Sequence, residues 1–391
     1  MSFNFDGHIP PSKSILLRLS LCESYVTEES VSPFFTCDDV IKMASGLKQL
    51  FNSDPIDCGD SAMALRCLVL RASRIPGRHF ISGSKRLMTR PHTELAHILA
   101  QLGARIYFID GKIVVESTDW PDKNLEIIVD RSNSSQFASS LLLNSWLLNH
   151  SIKISWMGET VSDGYWQMSL KLAKKLGMKI TIQSESITVP SQQKPFVDWT
   201  LTELDMSSAF SVAALATVAG QARIRDFSWE GLQPDSEFVT VLKKMGAGVE
   251  IQDSVLLVKK ADALLPISLD LSNCPDMFPV LSVLCALAEG KSQLYGAAHL
   301  AYKESHRIRK TAELIRLMGR QCTETLDGII IYGKKQNLDF ENLAAIIFDP
   351  DRDHRLVMAA GVAKAAGLNV IVTDPRAVNK SFPDFLEISP V

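Results

Sequence analysis

Several stretches of this chain set basic, hydroxyl or acidic side chains against the start of an apolar segment, an arrangement that can gather an anion. Near the N terminus, Pro11-Ser12-Lys13-Ser14 runs into ILLRLSLCES, with Ser14 near the expected helix start and Arg18 one turn further in. Lys13, Ser14 and Arg18 can address one phosphate or carboxylate, because a helix start adds free amides and the positive end of the macrodipole. Arg66 interrupts the apolar run AMALRCLVL, and a buried guanidinium requires an anion. Arg86 and Arg90 stand before Pro91, so a loop presents them. Ser134-Ser135-Gln136 places two hydroxyls and an amide ahead of ASSLLLNSWLL. In the C-terminal half, Asp276, the run Lys303-Glu304-Ser305-His306-Arg307, the run Asp353-His354-Arg355, and Lys380-Ser381 each open a separate element. Taken singly, each of these is also what an ordinary capped helix looks like; their recurrence suggests that the starts face one cleft with a surplus of positive charge.

The elements that must position these groups repeat. Helix-like segments ending in Leu or Met before glycine, then an alternating strand, appear as LAHILAQLGARIYF, LKLAKKLGMKITI, VTVLKKMGAGVEI and AELIRLMGRQCTET. Their glycines, Gly103, Gly177, Gly246 and Gly319, are 74, 69 and 73 residues apart. A glycine there fits the helix C-cap, where positive φ is required. The helices are amphipathic, and KIVVES, LEIIVD, IKISWM and GIIIYG have the length and β-branching of strands, so the class is α/β. About six such units fill the chain.

Composition narrows the function. The 41 Lys and Arg against 44 Asp and Glu leave a net charge of -3, which argues against a coat for nucleic acid. No apolar run reaches the length of a membrane span, Met277 to Ala288 being the longest candidate, and the first residues lack the pattern of a secretory signal, so a cytoplasmic chain is expected. Seven cysteines without a C-x-x-C pair indicate neither a disulfide framework nor a zinc site.

Read in order, PSKS with Arg18, TCDD at 36–39, GDSAMALR at 59–66, SGSKRLMTRP at 82–91, SSQF at 134–137, VSDGY at 161–165, TELDMSSA at 202–209, CPD at 274–276, YKESHR at 302–307, DHR at 353–355 and NKSFPDF at 379–385 resemble the 5-enolpyruvylshikimate-3-phosphate (EPSP) synthases of the enolpyruvyl transferase family. The resemblance implies two lobes, each of three repeated βαββαβ-type units about a pseudo-threefold axis, an inside-out α/β barrel. It places residues 13–203 in the first lobe, on the shikimate 3-phosphate side, and 1–12 with 204–391 in the second, with the active site in the cleft between them. It implies transfer of the enolpyruvyl group of phosphoenolpyruvate to shikimate 3-phosphate in a cytoplasmic monomer, with no metal or organic cofactor. Ser14, Arg18, Ser134, Ser135, Ser162 and Tyr165 fall to shikimate 3-phosphate; Arg90, Gln136, Arg307, Arg355 and Lys380 fall to phosphoenolpyruvate; Lys13 stands between the two. Asp276 matches an aspartate that binds the shikimate hydroxyls and is the candidate base, while Lys303 and Glu304 match the pair for proton delivery.

The chain departs from the family pattern at Pro11, at Asp60 and Ala62 where asparagine and glycine are usual, at His299 where a substrate-binding asparagine is usual, and at His306 in place of an acidic residue. The Ala62 methyl is expected to crowd glyphosate more than phosphoenolpyruvate. A UDP-N-acetylglucosamine enolpyruvyl transferase shares the implied architecture but carries a reactive cysteine on the loop corresponding to residues 71–90, where this chain has none. A catalytically impaired relative that binds phosphorylated ligands is the remaining alternative.

Overall fold

Strands and helices recur in one order four times. The computed structural model describes residues 2–28, 37–229, 231–334 and 345–389. Each complete copy runs strand, helix, strand, helix, strand, strand, and its four strands form one sheet. In sheet order the copies are Phe3–Gly7, Gly220–Ile224, Val255–Lys259, Gly248–Gln252; Ser268–Asp270, Gly290–Tyr295, Ile329–Gly333, Gln321–Glu324; Ile56–Asp57, Gly77–Ser82, Lys112–Ser117, Arg105–Ile109; and Leu125–Asp130, Ile152–Met157, Ser186–Val189, Thr181–Ile182. The first pair in each sheet is parallel and needs a helical crossover; the last pair is an antiparallel hairpin. The hairpin therefore closes the copy rather than lying between its two helices. Asp110-Gly111 and Asp253-Ser254 make two of the hairpin turns with positive φ at both positions, the backbone that suits the twist of the flanking strands.

Two further copies show fewer elements among the described residues. Ile346–Phe348 and Val370–Val372 pair in parallel around the helix His354–Ala365, with no hairpin added among the described residues. The helices Lys13–Glu23 and Asp38–Phe51 belong to no sheet among the described residues.

Contacts divide the chain into residues 1–12 with 203–391, and residues 13–202. Residue 203, expected with the first lobe, belongs with the other unit: its carbonyl accepts the Ser12 amide at 2.8 Å and its carboxylate accepts the Leu232 amide at 2.7 Å.

The four spaced glycines all sit just past a helix with positive φ, from +72° to +95°, as the spacing predicts. The helix expected over ASSLLLNSWLL runs only Gln136–Leu143, because the Asn144 amide turns back to the Ser140 carbonyl at 2.8 Å and ends the ladder. Thr36 of the TCDD motif lies outside the described residues. No helix among the described residues is long and apolar enough to cross a membrane.

Gly220 shows how closely the N-terminal strand is held. A Cβ built there meets the Phe3 carbonyl oxygen at 1.9 Å, whereas one at Gly177 meets nothing within 4 Å and suffers only from a φ of +95°. Gly177→Ala is expected to cost about 1 kcal/mol, and Gly220→Ala about 1–3 kcal/mol through overpacking. Urea denaturation of both variants checks the order.

Candidate active site

In each copy the first helix is apolar on nearly every side. Phe278–Leu287 and Ala62–Ala72 are buried at every residue, and they pack among their counterparts Met206–Ala219 and His354–Ala365, and Lys13–Glu23 and Gln136–Leu143 respectively. A helix covered all round presents polar groups mainly at its ends, Arg66 and Arg71 within Ala62–Ala72 being exceptions that find buried partners. The candidate residues therefore lie mostly at N-terminal ends, on or just before the first turn.

In the unit of residues 1–12 and 203–391 they form one network around Arg307, the first residue of the helix Arg307–Leu317, with a side chain 1% exposed. Its Nε and Nη2 donate to Asp353 Oδ2 and Oδ1 at 2.9 and 3.3 Å, its Nη1 to Asp276 Oδ1 at 2.9 Å, and its Nη2 also to Glu304 Oε2 at 3.0 Å. Asp353 accepts the Ser305 hydroxyl and the Arg355 amide, both at 3.0 Å, the latter capping His354–Ala365. The second oxygen of Asp276 accepts from Arg355 Nη2, and that of Glu304 pairs with Lys380 Nζ at 3.0 Å. Lys303 acts electrostatically on Asp276, and Lys303, Asp276 and Arg307 act on His299. All seven sequence-predicted residues of this unit are thus brought together. Four cations meet three carboxylates, so the expected surplus of positive charge is small here.

Burial pushes the Asp276 carboxyl up, but the Arg355 and Arg307 guanidiniums and the Lys303 ammonium outweigh it and hold the group well below the usual carboxylate range. Burial likewise favours the neutral form of Arg307, yet Asp353, Glu304 and Asp276 bind its proton more tightly than in water. His299 is pushed down to about 3 by burial and by Lys303, so its imidazole is neutral at physiological pH.

The unit of residues 13–202 handles its cations differently. Lys13 begins its helix and donates to Asp39 Oδ2 at 2.9 Å. Ser14 lies inside the first turn, not at the cap, and its carbonyl accepts from Arg18 Nη1 at 2.8 Å. Arg18 is 2% exposed, and its Nε donates to Ser169 Oγ at 2.8 Å. Ser169 belongs to the helix Asp163–Lys175, which Ser162 precedes and which carries Tyr165; Ser169 Oγ also bonds Ser139 Oγ at 2.9 Å. No carboxylate pairs with Arg18 among the described residues, and burial pushes its pKa down to about 10. Arg66, 3% exposed, donates to Ser134 Oγ at 2.8 Å and Gln136 Oε1 at 2.6 Å, with its guanidinium 4.2 Å from the centre of the Phe137 ring. Ser135 is the buried N-cap residue of Gln136–Leu143. Arg90 follows the short helix Lys85–Met88, and with burial and Arg66 it pushes the nearby His92 imidazole down to about 4. The Ser84 hydroxyl donates to Asp60, giving that carboxylate a neutral partner.

The sequence model of the family described as EPSP synthase (3-phosphoshikimate 1-carboxyvinyltransferase) matches residues 29–388. This chain belongs to the EPSP synthase family. A 3-phosphoshikimate 1-carboxyvinyltransferase of Methanocorpusculum labreanum is 31% identical over 97% of this chain and 94% of its own length, and one of Syntrophobacter fumaroxidans is 29% identical over 97% and 95%. Among solved structures, EPSP synthase from Acinetobacter baumannii superposes with a TM-score of 0.71 at 21% identity, covering 99% of this chain and 95% of that one. The enolpyruvyl transferase NikO from Streptomyces tendae gives 0.69 at 12% identity, covering 99% and 94%. The chain has the α/β enolpyruvyl transferase fold.

For this EPSP synthase family member, sequence reasoning missed the groups that hold the cations. Asp39 entered only as the last residue of the TCDD motif and Asp353 only as the start of DHR, neither with a role, and Ser169 carries no local signal. Arg66 did carry a signal, a charge in an apolar run, and the structure joins it to Ser134 and Gln136.

Because the folded Asp276 carboxyl is held below its unfolded value, its contribution to stability is complete above the unfolded pKa of about 3.9 and is lost as pH falls toward the folded value. Asp276→Asn lacks this component. The stability difference between the parent protein and the variant is expected to stay constant from pH 6 to about pH 5 and to shrink from there to about pH 2, as read by urea midpoints; a constant difference over the whole range contradicts the assignment.

Proposed function

We propose that the chain is a 3-phosphoshikimate 1-carboxyvinyltransferase that moves the enolpyruvyl group of phosphoenolpyruvate onto the 5-hydroxyl of shikimate 3-phosphate and releases phosphate, in the pathway to chorismate. Arg18 is the observation that carries this reading. It is a buried guanidinium held by a hydroxyl and a carbonyl, a costly placement that an anion close by offsets. The two substrates bring roughly five or six negative charges at neutral pH. Family membership names the substrates; the residue roles and a cleft between the two units belong to the proposal.

In that reading Ser14, Arg18, Ser134, Ser135, Ser162, Tyr165 and Asp276 bind shikimate 3-phosphate, with His299 as a neutral hydrogen-bonding partner. Arg90, Gln136, Arg307, Arg355 and Lys380 bind phosphoenolpyruvate, and Lys13 serves both. Paired with two guanidiniums, Asp276 is a weak base. A substrate carboxylate that takes over Arg355 removes one of these partners and raises the proton affinity of Asp276. Asp276 then accepts the 5-hydroxyl proton as that oxygen bonds to C2, while C3 gains a proton from the Lys303 and Glu304 pair. The tetrahedral intermediate loses phosphate from C2 and a proton from C3, which restores the double bond. Oriented cations stabilise the developing charge with little rearrangement. The enzyme works as a cytoplasmic monomer.

Incubation with both substrates is expected to release phosphate only when both are present, and Lys13→Met is expected to abolish it. Release no greater than from Lys13→Met identifies a silent relative instead. Ala62 is the first residue of its helix and is buried. Removing its methyl in Ala62→Gly is expected to tighten glyphosate inhibition about tenfold or more, with a smaller change in KM for phosphoenolpyruvate; equal changes in both argue against crowding at this position.

A further inference from the structure

We propose that Arg131 is a positioning residue for recognition of the phosphorylated substrate, acting through Asp163 on the helix start that carries Ser162 and Tyr165. The inference deepens the functional reading above and rests on it.

Arg131 directly follows the strand Leu125–Asp130 and is 1% exposed. Its guanidinium lies 5.3 Å from the Trp156 ring centre and 5.1 Å from that of Trp166. Trp156 is on the neighbouring parallel strand Ile152–Met157, and Trp166 is buried on the helix Asp163–Lys175. Its Nη2 donates to Asp163, the first residue of that helix, whose other oxygen accepts from Gln167 Nε2 at 3.1 Å. The Arg131 backbone grips the same turn: its amide donates to the Met157 carbonyl at 3.3 Å, and its carbonyl accepts from Val161 at 3.4 Å. Strand end, connecting turn and helix start are thus tied together by one residue.

The turn needs such a tie. Ser162 has φ +54°, a left-handed conformation that a serine does not hold by itself, and its side chain makes no capping bond to the helix. The same helix carries Tyr165, and Ser169, which bonds Arg18. A shift of its first turn therefore moves a hydroxyl, a phenol and the support of the buried guanidinium in concert. Among the groups read as holding phosphoenolpyruvate, Gln136 opens the helix whose Ser139 bonds Ser169, whereas Arg307, Arg355 and Lys380 belong to the other unit, so the effect falls mainly on shikimate 3-phosphate.

Arg131→Gln, Arg131→Lys and Asp163→Asn are compared with the parent protein by steady-state kinetics, calorimetric binding of shikimate 3-phosphate, and thermal melting. Arg131→Gln and Asp163→Asn are expected to raise both KM and calorimetric Kd for shikimate 3-phosphate about tenfold, with kcat and the KM for phosphoenolpyruvate within about twofold. Arg131→Lys, which keeps the cation, is expected to recover part of the loss. Folded variants whose affinity for shikimate 3-phosphate stays within about twofold of the parent overturn the proposal, as do losses that fall equally on both substrates. If Arg131→Gln does not fold, Asp163→Asn, which keeps the arginine on its tryptophans, decides alone. A parent protein that neither binds nor turns over shikimate 3-phosphate overturns the functional reading and this proposal with it; an active parent matched by its variants overturns this proposal only.

Discussion

Burying a guanidinium is costly unless its charge is matched, and Arg307 is matched by three carboxylates. Asp353, Asp276 and Glu304 each come from a different segment, so satisfying one buried charge fixes the relative placement of the helix starts that bear them. Removing one member of such a set typically costs about 3–5 kcal/mol, because the remaining charge is left uncompensated. The arrangement also keeps four cations close together without ligand. In the functional reading proposed above, ligand binding at this cluster is an exchange of acceptors, in which a substrate oxygen displaces an internal carboxylate from a guanidinium already in place.

The other unit uses the same repeated copy with a different electrostatic solution. Lys13 has Asp39, but Arg18 rests on a hydroxyl and a carbonyl, and its pKa falls to about 10. Neutral oxygens satisfy hydrogen-bond directions without cancelling charge. That leaves more positive potential on this side, which suits a doubly charged phosphate, while the carboxylate-rich side suits chemistry that also moves protons.

Much of this was legible in the sequence, for a physical reason. Helices buried on every side must be largely apolar, so a charge in or next to them stands out, as Lys13, Asp276 and Arg355 do. Arg307, which opens an amphipathic helix, and Lys380, which ends a 3-10 helix, were visible as charges at element boundaries. The glycine spacing exposed four of the copies because those helices end in a left-handed residue. It did not expose the copy ending at Phe51, where Ser53 with φ +60° takes the left-handed position instead of glycine. Side-chain partners were hidden more deeply. Arg18 and Ser169 are 151 residues apart, and Arg307 and Asp353 are 46 apart, so no local pattern joins them. The one-residue displacement of the domain boundary has the same origin, since it depends on what the Glu203 carboxylate touches in the folded chain.

The strand Phe3–Gly7 pairs in parallel with Gly220–Ile224, across the whole of residues 13–202. On the ribosome, its partner emerges 217 residues later, a wait of about 10–40 s at ordinary elongation rates. Until then a β-edge travels unpaired ahead of residues 13–202, while that uninterrupted unit can already fold. The order of birth is thus written into the connectivity: a strand made before the inserted unit finds its place only after that unit is complete.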